Sequence, residues 1–324
     1  MRSQALRAAL VAAFAGAVAT TALADEFRFA HVYEANSIYH KWAEWAADEI
    51  ASRTDGRHTV EVFPASSLGK EAEIFEGLAL GTIDMSYTGS FYASSVYGPM
   101  AISSAPYMFR DFDHWKAYRD SPVFAEISGT FEAQSGHEVL GLTYYGARHL
   151  TANKALPTPE SMKGLKMRVP NAKMYLLFPR SVGANPTPIA FAEVYLALQQ
   201  GVVDAQENPL PTILEKKFYE VQSHIMLTGH LMDSLVTLMA GPKWRSLGAD
   251  DQTIFAEVYA EAAAKATEDV RQAELRLAED FATELGIEVV EVDRAPFREA
   301  MMPLLTSGDV PWTPEQVAAV EAIR

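Results

Sequence analysis

From Asp251 to Leu285 the chain runs without a single glycine or proline and is rich in alanine and glutamate. Such a stretch predicts one continuous helix, about 50 Å long at ~1.5 Å per residue. Gly286 stands where a left-handed cap would end it. A helix of that length either spans two lobes or projects from them. Together with about 300 residues of mixed patterning, this favours an α/β protein of two lobes over a single layer.

The start of the chain has a different character. Arg2 and Arg7 precede a small apolar run from Ala8 to about Ala19, and Ala22-Leu23-Ala24 forms an A-x-A cleavage site before Asp25. Residues 1–24 therefore read as a secretory signal peptide, too short in its apolar part to span a bilayer. No cysteine follows the cleavage site, so a lipid anchor is not expected. The expectation is an exported, periplasmic protein that is not itself inserted in the membrane. The chain has 0 Cys, which removes thiol nucleophiles and thiolate-ligated metals from consideration. The net charge is −15, and removing Arg2 and Arg7 takes it to −17, which argues against nucleic acid as a partner.

After the leader, Phe27–Val32 reads as a strand with Phe27, Phe29 and His31 on one face. Ser37 caps a helix in which Ile38, Trp42, Trp45, Ala46 and Ile50 recur as a core stripe. Thr59–Phe63, a helix over 70–80 and Thr82–Thr88 complete a βαβαβ pattern, the mark of a parallel sheet. Helices are expected over 112–120 and 122–134, and a strand over 138–144 that continues into a second extended segment. A second α/β unit follows: a strand ending at Arg168, helix 171–182, strand 186–189, helix 191–200 and strand 202–206. Phe218–Thr237 reads as largely extended and carries the chain back to the first lobe. His40, His58 and His114 fall on expected surfaces.

Arg148 and Arg168 both close strands, beside Gly146 and Pro170. A guanidinium there is a permanently charged fork that fits a carboxylate with two parallel hydrogen bonds. Open α/β sheets bind ligands outside the carboxyl ends of their strands. Asn208, held extended by Pro209, ends another strand and can add an amide to an anion site. Tyr87, Tyr92, His31 and Tyr33 lie at strand ends of the first lobe, where aromatic rings could wall a ligand. Glu71 and Glu193 are single carboxylates without an evident partner. The sequence holds no G-x-S-x-G elbow, no H-E-x-x-H and no glycine-rich phosphate loop. No catalytic residue, cofactor or metal is expected.

Between Gly146 and His230 the chain resembles a known family. Gly146-Ala147-Arg148, the segment Met162–Ala172, Gly183-Ala184-Asn185-Pro186-Thr187-Pro188, Ala190–Gln199, Val203–Pro209, Lys217–Gln222 and Gly229-His230 are similar, in that order, to the solute-binding subunits of TRAP (tripartite ATP-independent periplasmic) transporters, in particular the sialic-acid-binding type. The resemblance implies a two-lobe periplasmic binding protein fold with connecting hinge strands and a long helix across both lobes. The first lobe would comprise 25–146 plus about 234–273, the second 147–233 plus about 274–324. It further implies that Arg168 clamps the ligand carboxylate, that Arg148 and Asn208 assist, and that Phe191 lines the pocket. Lobe closure would trap the ligand, and a sodium-coupled membrane permease would receive it from a monomeric carrier.

The chain departs from sialic-acid binders in its first lobe. Gly89 and Tyr92 replace a Glu and an Arg, Val32 replaces an Asn, and Lys70-Glu71 replaces an acidic pair. Sialic acid is therefore not the expected cargo. Lys70, if turned inward, would hold a second anionic group or a hydroxyl. A sugar acid or hydroxy acid is the leading expectation, with aromatic acids and sulfonates as alternatives. Two other classes share the same pocket: a ligand-sensing subunit of a receptor, and an exported enzyme acting on a carboxylate. The enzyme would need His31, Tyr87 or Glu193 as base or nucleophile.

Overall fold

The computed structural model describes residues 25–324, so the expected signal peptide lies outside the described residues. Ten strands alternate with helices: β1 (Asp25–Ala30), β2 (His58–Phe63), β3 (Met85–Gly89), β4 (Glu138–Ala152), β5 (Lys166–Val169), β6 (Asn185–Pro188), β7 (Ala205–Pro209), β8 (His224–Met226), β9 (Met232–Met239) and β10 (Glu288–Val290). Their order is β2-β1-β3-β9-β4-β7-β5-β6, with β8 pairing β4 and β10. The β2-β1-β3 set is parallel, as the βαβαβ pattern implies, and so are β6-β5-β7. Strands β9 and β4 run antiparallel between the two sets.

The two extended segments expected after residue 138 are one strand. From Glu138 to Ala147 β4 pairs with β9, and from Arg148 to Ala152 it pairs with β7 and β8. The change of partner falls at a bulge between Tyr144 and Gly146. Gly146 has φ +124°, and a Cβ there would lie 2.6 Å from Cβ of Pro209 and 2.9 Å from Oε1 of Glu274. Only glycine lets the chain pass.

The glycine-free segment forms a single helix, Ala249–Thr283. Its buried positions recur every three or four residues. Phe255, Val258, Tyr259, Ala262 and Val270 join the core around β1, β3 and β9. Ala273, Leu277 and Phe281 join a separate core with Val194, Ile213 and Phe218. Between the two, the helix answers the bulge. Thr267 Oγ1 accepts the Tyr144 N–H at 3.0 Å, and the Glu274 carboxylate accepts the Ala147 N–H at 2.5 Å and the Tyr144 hydroxyl at 3.1 Å. Buried backbone N–H groups need such partners wherever a ladder is broken. Among the described residues no helix is long and apolar enough to cross a membrane.

Some local expectations are corrected. In the first helix, Ile38–Arg53, the deepest residues are Tyr39, Ala43, Ala46, Ala47 and Ile50; Trp42 and Trp45 flank them, half-buried. Lys265 of the long helix lies 3.9 Å over the Trp45 ring, and Asp269 accepts the Trp42 N–H at 2.9 Å. The stripe is rotated because the helix packs on both the sheet and the long helix. His58 and His114 are buried, bonded to Asp251 at 2.9 Å and to the Val320 carbonyl at 2.9 Å. His40 is half-buried, 3.2 Å from His31. Apart from His31, these partners are distant in sequence, so local pattern could not find them. Helix 171–182 is a 3-10 turn, Lys173–Leu176, leading into a short helix, Leu177–Ser181.

The bulge generates a prediction. Gly146→Ala should lower unfolding free energy by about 2–4 kcal/mol in urea titrations, from strain and overlap with Pro209. Gly129→Ala, in the interior of helix Pro122–Ser135 with open space around it, should raise it by about 0.5–1 kcal/mol. Equal effects would refute the assignment.

Candidate functional site

A cavity of about 150 Å³ lies where the two halves of the sheet meet. Arg168, third residue of β5, pairs with Thr187 of β6 and Gln206 of β7 and enters the cavity wall. The side chain is 1% exposed, so the fork is buried and not turned to solvent as a strand-end arginine would be. Nε and Nη2 both donate to the Ile189 carbonyl, at 2.9 and 2.7 Å. Nη1 is buried without a hydrogen-bond partner. Anchoring the Nε edge leaves the Nη1–Nη2 edge to hold an anion. Burial lowers the Arg168 pKa to about 10, against the opposing pull of Glu207, so the group stays cationic at neutral pH. The Phe191 ring sits 6.0 Å from the guanidinium carbon and lines the same cavity.

Arg148 is equally buried but differently occupied. Nε and Nη2 grip the Glu207 carboxylate, Nη2 also donates to the Glu207 carbonyl at 2.6 Å, and Nη1 donates to Asp233 at 2.9 Å. His230 Nε2 lies 3.1 Å from Glu207, and the Tyr175 hydroxyl donates to Asp233 at 3.0 Å. Burial alone would raise the Glu207 pKa, but Arg148 and the His230 hydrogen bond bring it down to about 2. Arg148 lines the cavity with most of its donors already committed, so it shapes the field more than it offers a fork. Asn208 also lines the cavity. Its Nδ2 donates to Gln206 at 2.6 Å and its Oδ1 accepts from the Tyr145 hydroxyl at 3.3 Å.

The first half of the chain contributes the opposite wall. Tyr33, Lys70, Glu71, Gly89 and Tyr92 line it. Oε1 of Glu71 accepts the Gly89 N–H at 2.8 Å. A Cβ on Gly89 would meet that oxygen at 3.2 Å and the Tyr175 hydroxyl at 3.4 Å. Burial, reinforced by Asp233, raises the Glu71 pKa to about 7 against the lowering effects of the Gly89 hydrogen bond, Arg168 and Arg148. Lys70 lines the cavity at its rim: its side chain is 52% exposed, and Nζ donates to Glu193 at 2.6 Å, so the inward turn that would hold a second anionic group is not made.

His31 and Tyr87 lie behind this wall and not in it. The His31 ring stacks on Tyr33 at 5.8 Å, and its Nδ1 accepts the Tyr33 N–H at 3.2 Å. Burial lowers its pKa to about 3, so the ring is neutral. Tyr87 packs on Phe29 at 4.8 Å. Both are one layer too deep, packed against Phe29 in the core of the first half. Tyr145, Tyr175, Asn171, Glu207 and Asp233 escaped the sequence reading. Only Tyr145 and Glu207 had a local signal, as neighbours of Gly146 and Asn208. Asp233 comes from a segment remote in sequence.

The sequence matches the model of the bacterial extracellular solute-binding proteins, family 7, over residues 29–308. It is 35% identical over 274 residues to the sialic acid-binding periplasmic protein of Vibrio cholerae, covering 84% of this chain and 85% of that one. A TRAP periplasmic solute binding protein from Polaromonas, solved bound to D-erythronate, is 32% identical with a TM-score of 0.83, over 93% of this chain and 99% of that chain. One from Roseobacter denitrificans, solved with bound L-galactonate, is 32% identical with a TM-score of 0.80, over 92% and 98%.

The buried ion cluster makes stability depend on pH. The Glu207 pKa falls from 4.5 to about 2 on folding. A depressed carboxylate stabilises the fold above its unfolded pKa, and that contribution is lost as pH falls from about 4.5 towards 2. Between pH 7 and pH 3 it amounts to about 2 kcal/mol. Glu207→Gln should be less stable at pH 7 and should lose about 2 kcal/mol less than wild type over that interval, read by urea unfolding at both pH values. An unchanged interval would contradict the pairing.

Proposed function

The chain belongs to family 7 of the bacterial extracellular solute-binding proteins, and from this premise we propose that it carries a small hydroxylated monocarboxylate to a sodium-coupled TRAP permease in the membrane. It acts in the periplasm, as a monomer, and leaves its cargo chemically unchanged.

One observation carries the reading: Arg168, a buried guanidinium that lines the cavity, has no hydrogen-bond partner on Nη1. An unpaired buried cation is costly, and a carboxylate seated on the Nη1–Nη2 edge would remove that cost. The cavity bounds the cargo's size. A partly open cavity of about 150 Å³ favours a compact cargo, on the order of four to six carbons, over a nine-carbon sugar acid. D-erythronate and L-galactonate, bound by the two relatives, lie in the right class. The tyrosine hydroxyls and Glu71 supply partners for the cargo's hydroxyls, while Phe191 and Tyr33 cover its apolar edge.

Closure is the trapping step in this proposal. Lys70 meets Glu193 at 2.6 Å, and Lys216 meets Glu34 at 2.5 Å. Each pair joins a residue of the first lobe to one of the second, with the signs exchanged. Both would break on opening.

Two experiments test the reading. In a thermal-shift screen, four- to six-carbon sugar acids should raise the melting temperature with dose, and aromatic acids and sulfonates should not. Calorimetry with the best sugar acid should show Arg168→Ala weakening binding by about a hundredfold or more; near wild-type affinity would sink the assignment. Glu193→Ala combined with Lys216→Ala should weaken it by no more than about thirtyfold, through faster release, since each of the two pairs contributes about 1 kcal/mol or less. A larger loss would mean that the pairs do more than close the lobes.

A further inference from the structure

We propose that Glu71 is a charge filter: it admits acids that present a hydroxyl to the wall facing Arg168 and rejects acids that present a second carboxylate there. The inference rests on the carrier reading above and deepens it.

The geometry comes first. Glu71 begins the helix Glu71–Leu80 and lines the cavity, with Oε1 fixed on the Gly89 N–H at 2.8 Å. Among the described residues Oε2 has no hydrogen-bond partner, and it is not a sealed-off buried atom. Arg168, on the same cavity, has its Nη1 free of partners. The site is thus bipolar, with a donor edge at Arg168 and an acceptor at Glu71. A hydroxy monoacid satisfies both.

The surrounding charge makes the acceptor selective. Arg148 and Arg168 bring two positive charges, and Glu207 and Asp233 bring two negative ones, all nearly wholly buried. Ionised Glu71 already takes this site below neutrality, and each negative charge on the cargo takes it further. A dianion would put a second carboxylate against Glu71, with Asp233 close behind it, in a medium that screens poorly. The charged groups that act on Glu71 are Asp233, Arg168 and Arg148, and Tyr33, Tyr92 and Tyr175 of the same cavity lie within its field. Its neighbour Lys70 would be the obvious counter-ion, but Glu193 holds it on the rim. With Lys70 engaged by Glu193, a second negative charge next to Glu71 meets no free counter-ion on that wall.

The filter should relax in acid. The Glu71 pKa is raised to about 7, by burial first. Above that value the group is a carboxylate that repels a dianion, and below it a neutral acid that can donate a hydrogen bond to one. From pH 8 to pH 6 the neutral fraction rises about tenfold. Aldaric acids titrate near pH 4, so both their charges persist across this range.

The test uses matched pairs in calorimetry: D-erythronate against meso-tartrate, and L-galactonate against galactarate. Each pair differs in whether the far carbon is an alcohol or a carboxylate. At pH 8 the wild-type protein should prefer the better-bound monoacid over its diacid by about a hundredfold or more. Diacid affinity should rise about tenfold at pH 6. Glu71→Gln should cut the preference by about tenfold or more, mainly by gaining diacid binding, and its diacid affinity should no longer depend on pH. Equal wild-type binding of monoacid and diacid at pH 8, or an unchanged ratio in Glu71→Gln, overturns the filter and leaves the carrier reading standing. Should Glu71→Gln not fold, the wild-type pH dependence alone decides. Binding of neither monoacid overturns both readings.

Discussion

A guanidinium buried in a protein must have its charge answered, and the answer given to Arg148 organises this molecule. Arg148 stands on β4 where that strand changes partners. Glu207 comes from β7 on one side and Asp233 from β9 on the other. The three side chains bind together the strands that lead into the two halves of the sheet. Removing one member would strand the others in a medium of low polarity, a cost of about 3–5 kcal/mol for a buried pair. The long helix repeats the device on the outer face, where Thr267 and Glu274 take up the N–H groups freed by the bulge. Gly146 supplies the backbone freedom that both require.

That arrangement divides labour between the two arginines. Arg148 is nearly saturated by protein carboxylates. Arg168 has only the Ile189 carbonyl, which aims its remaining edge and leaves its charge unmatched at close range. The difference follows from neighbours and not from residue type: both are buried arginines that line the same cavity, Arg168 near the end of β5 and Arg148 within β4. A clamp needs a vacancy, and a keystone cannot have one. The same principle explains Lys70, whose charge is spent on the rim against Glu193, and His31, which is neutral and one layer behind the wall.

Much of this is legible in the sequence. The glycine- and proline-free run from Asp251 became one helix, and the βαβαβ pattern became three parallel strands, because both are local signals. Arg168, Phe191 and Asn208 were marked by motif and by strand-end position, and they meet on one cavity. Long-range pairing was not legible. Nothing near Asp233 connects it with Arg148, 85 residues away, and nothing near Tyr175 places its hydroxyl beside Gly89. The Trp42–Trp45 stripe misled because half-buried aromatic rings mimic a core period when a helix packs on two surfaces. The layering of His31 and Tyr87 behind Tyr33 depends on packing in three dimensions, which alternation along one strand does not encode.

The central claim is that cargo is held by Arg168 while Arg148 stays with its protein partners. A crystal structure of the complex with D-erythronate tests it most directly. The account predicts both carboxylate oxygens within about 3 Å of Nη1 and Nη2 of Arg168, with the Arg148–Glu207 and Arg148–Asp233 contacts intact. A carboxylate seated on Arg148 with Glu207 or Asp233 displaced, or a ligand bound in the cavity without touching Arg168, would contradict it.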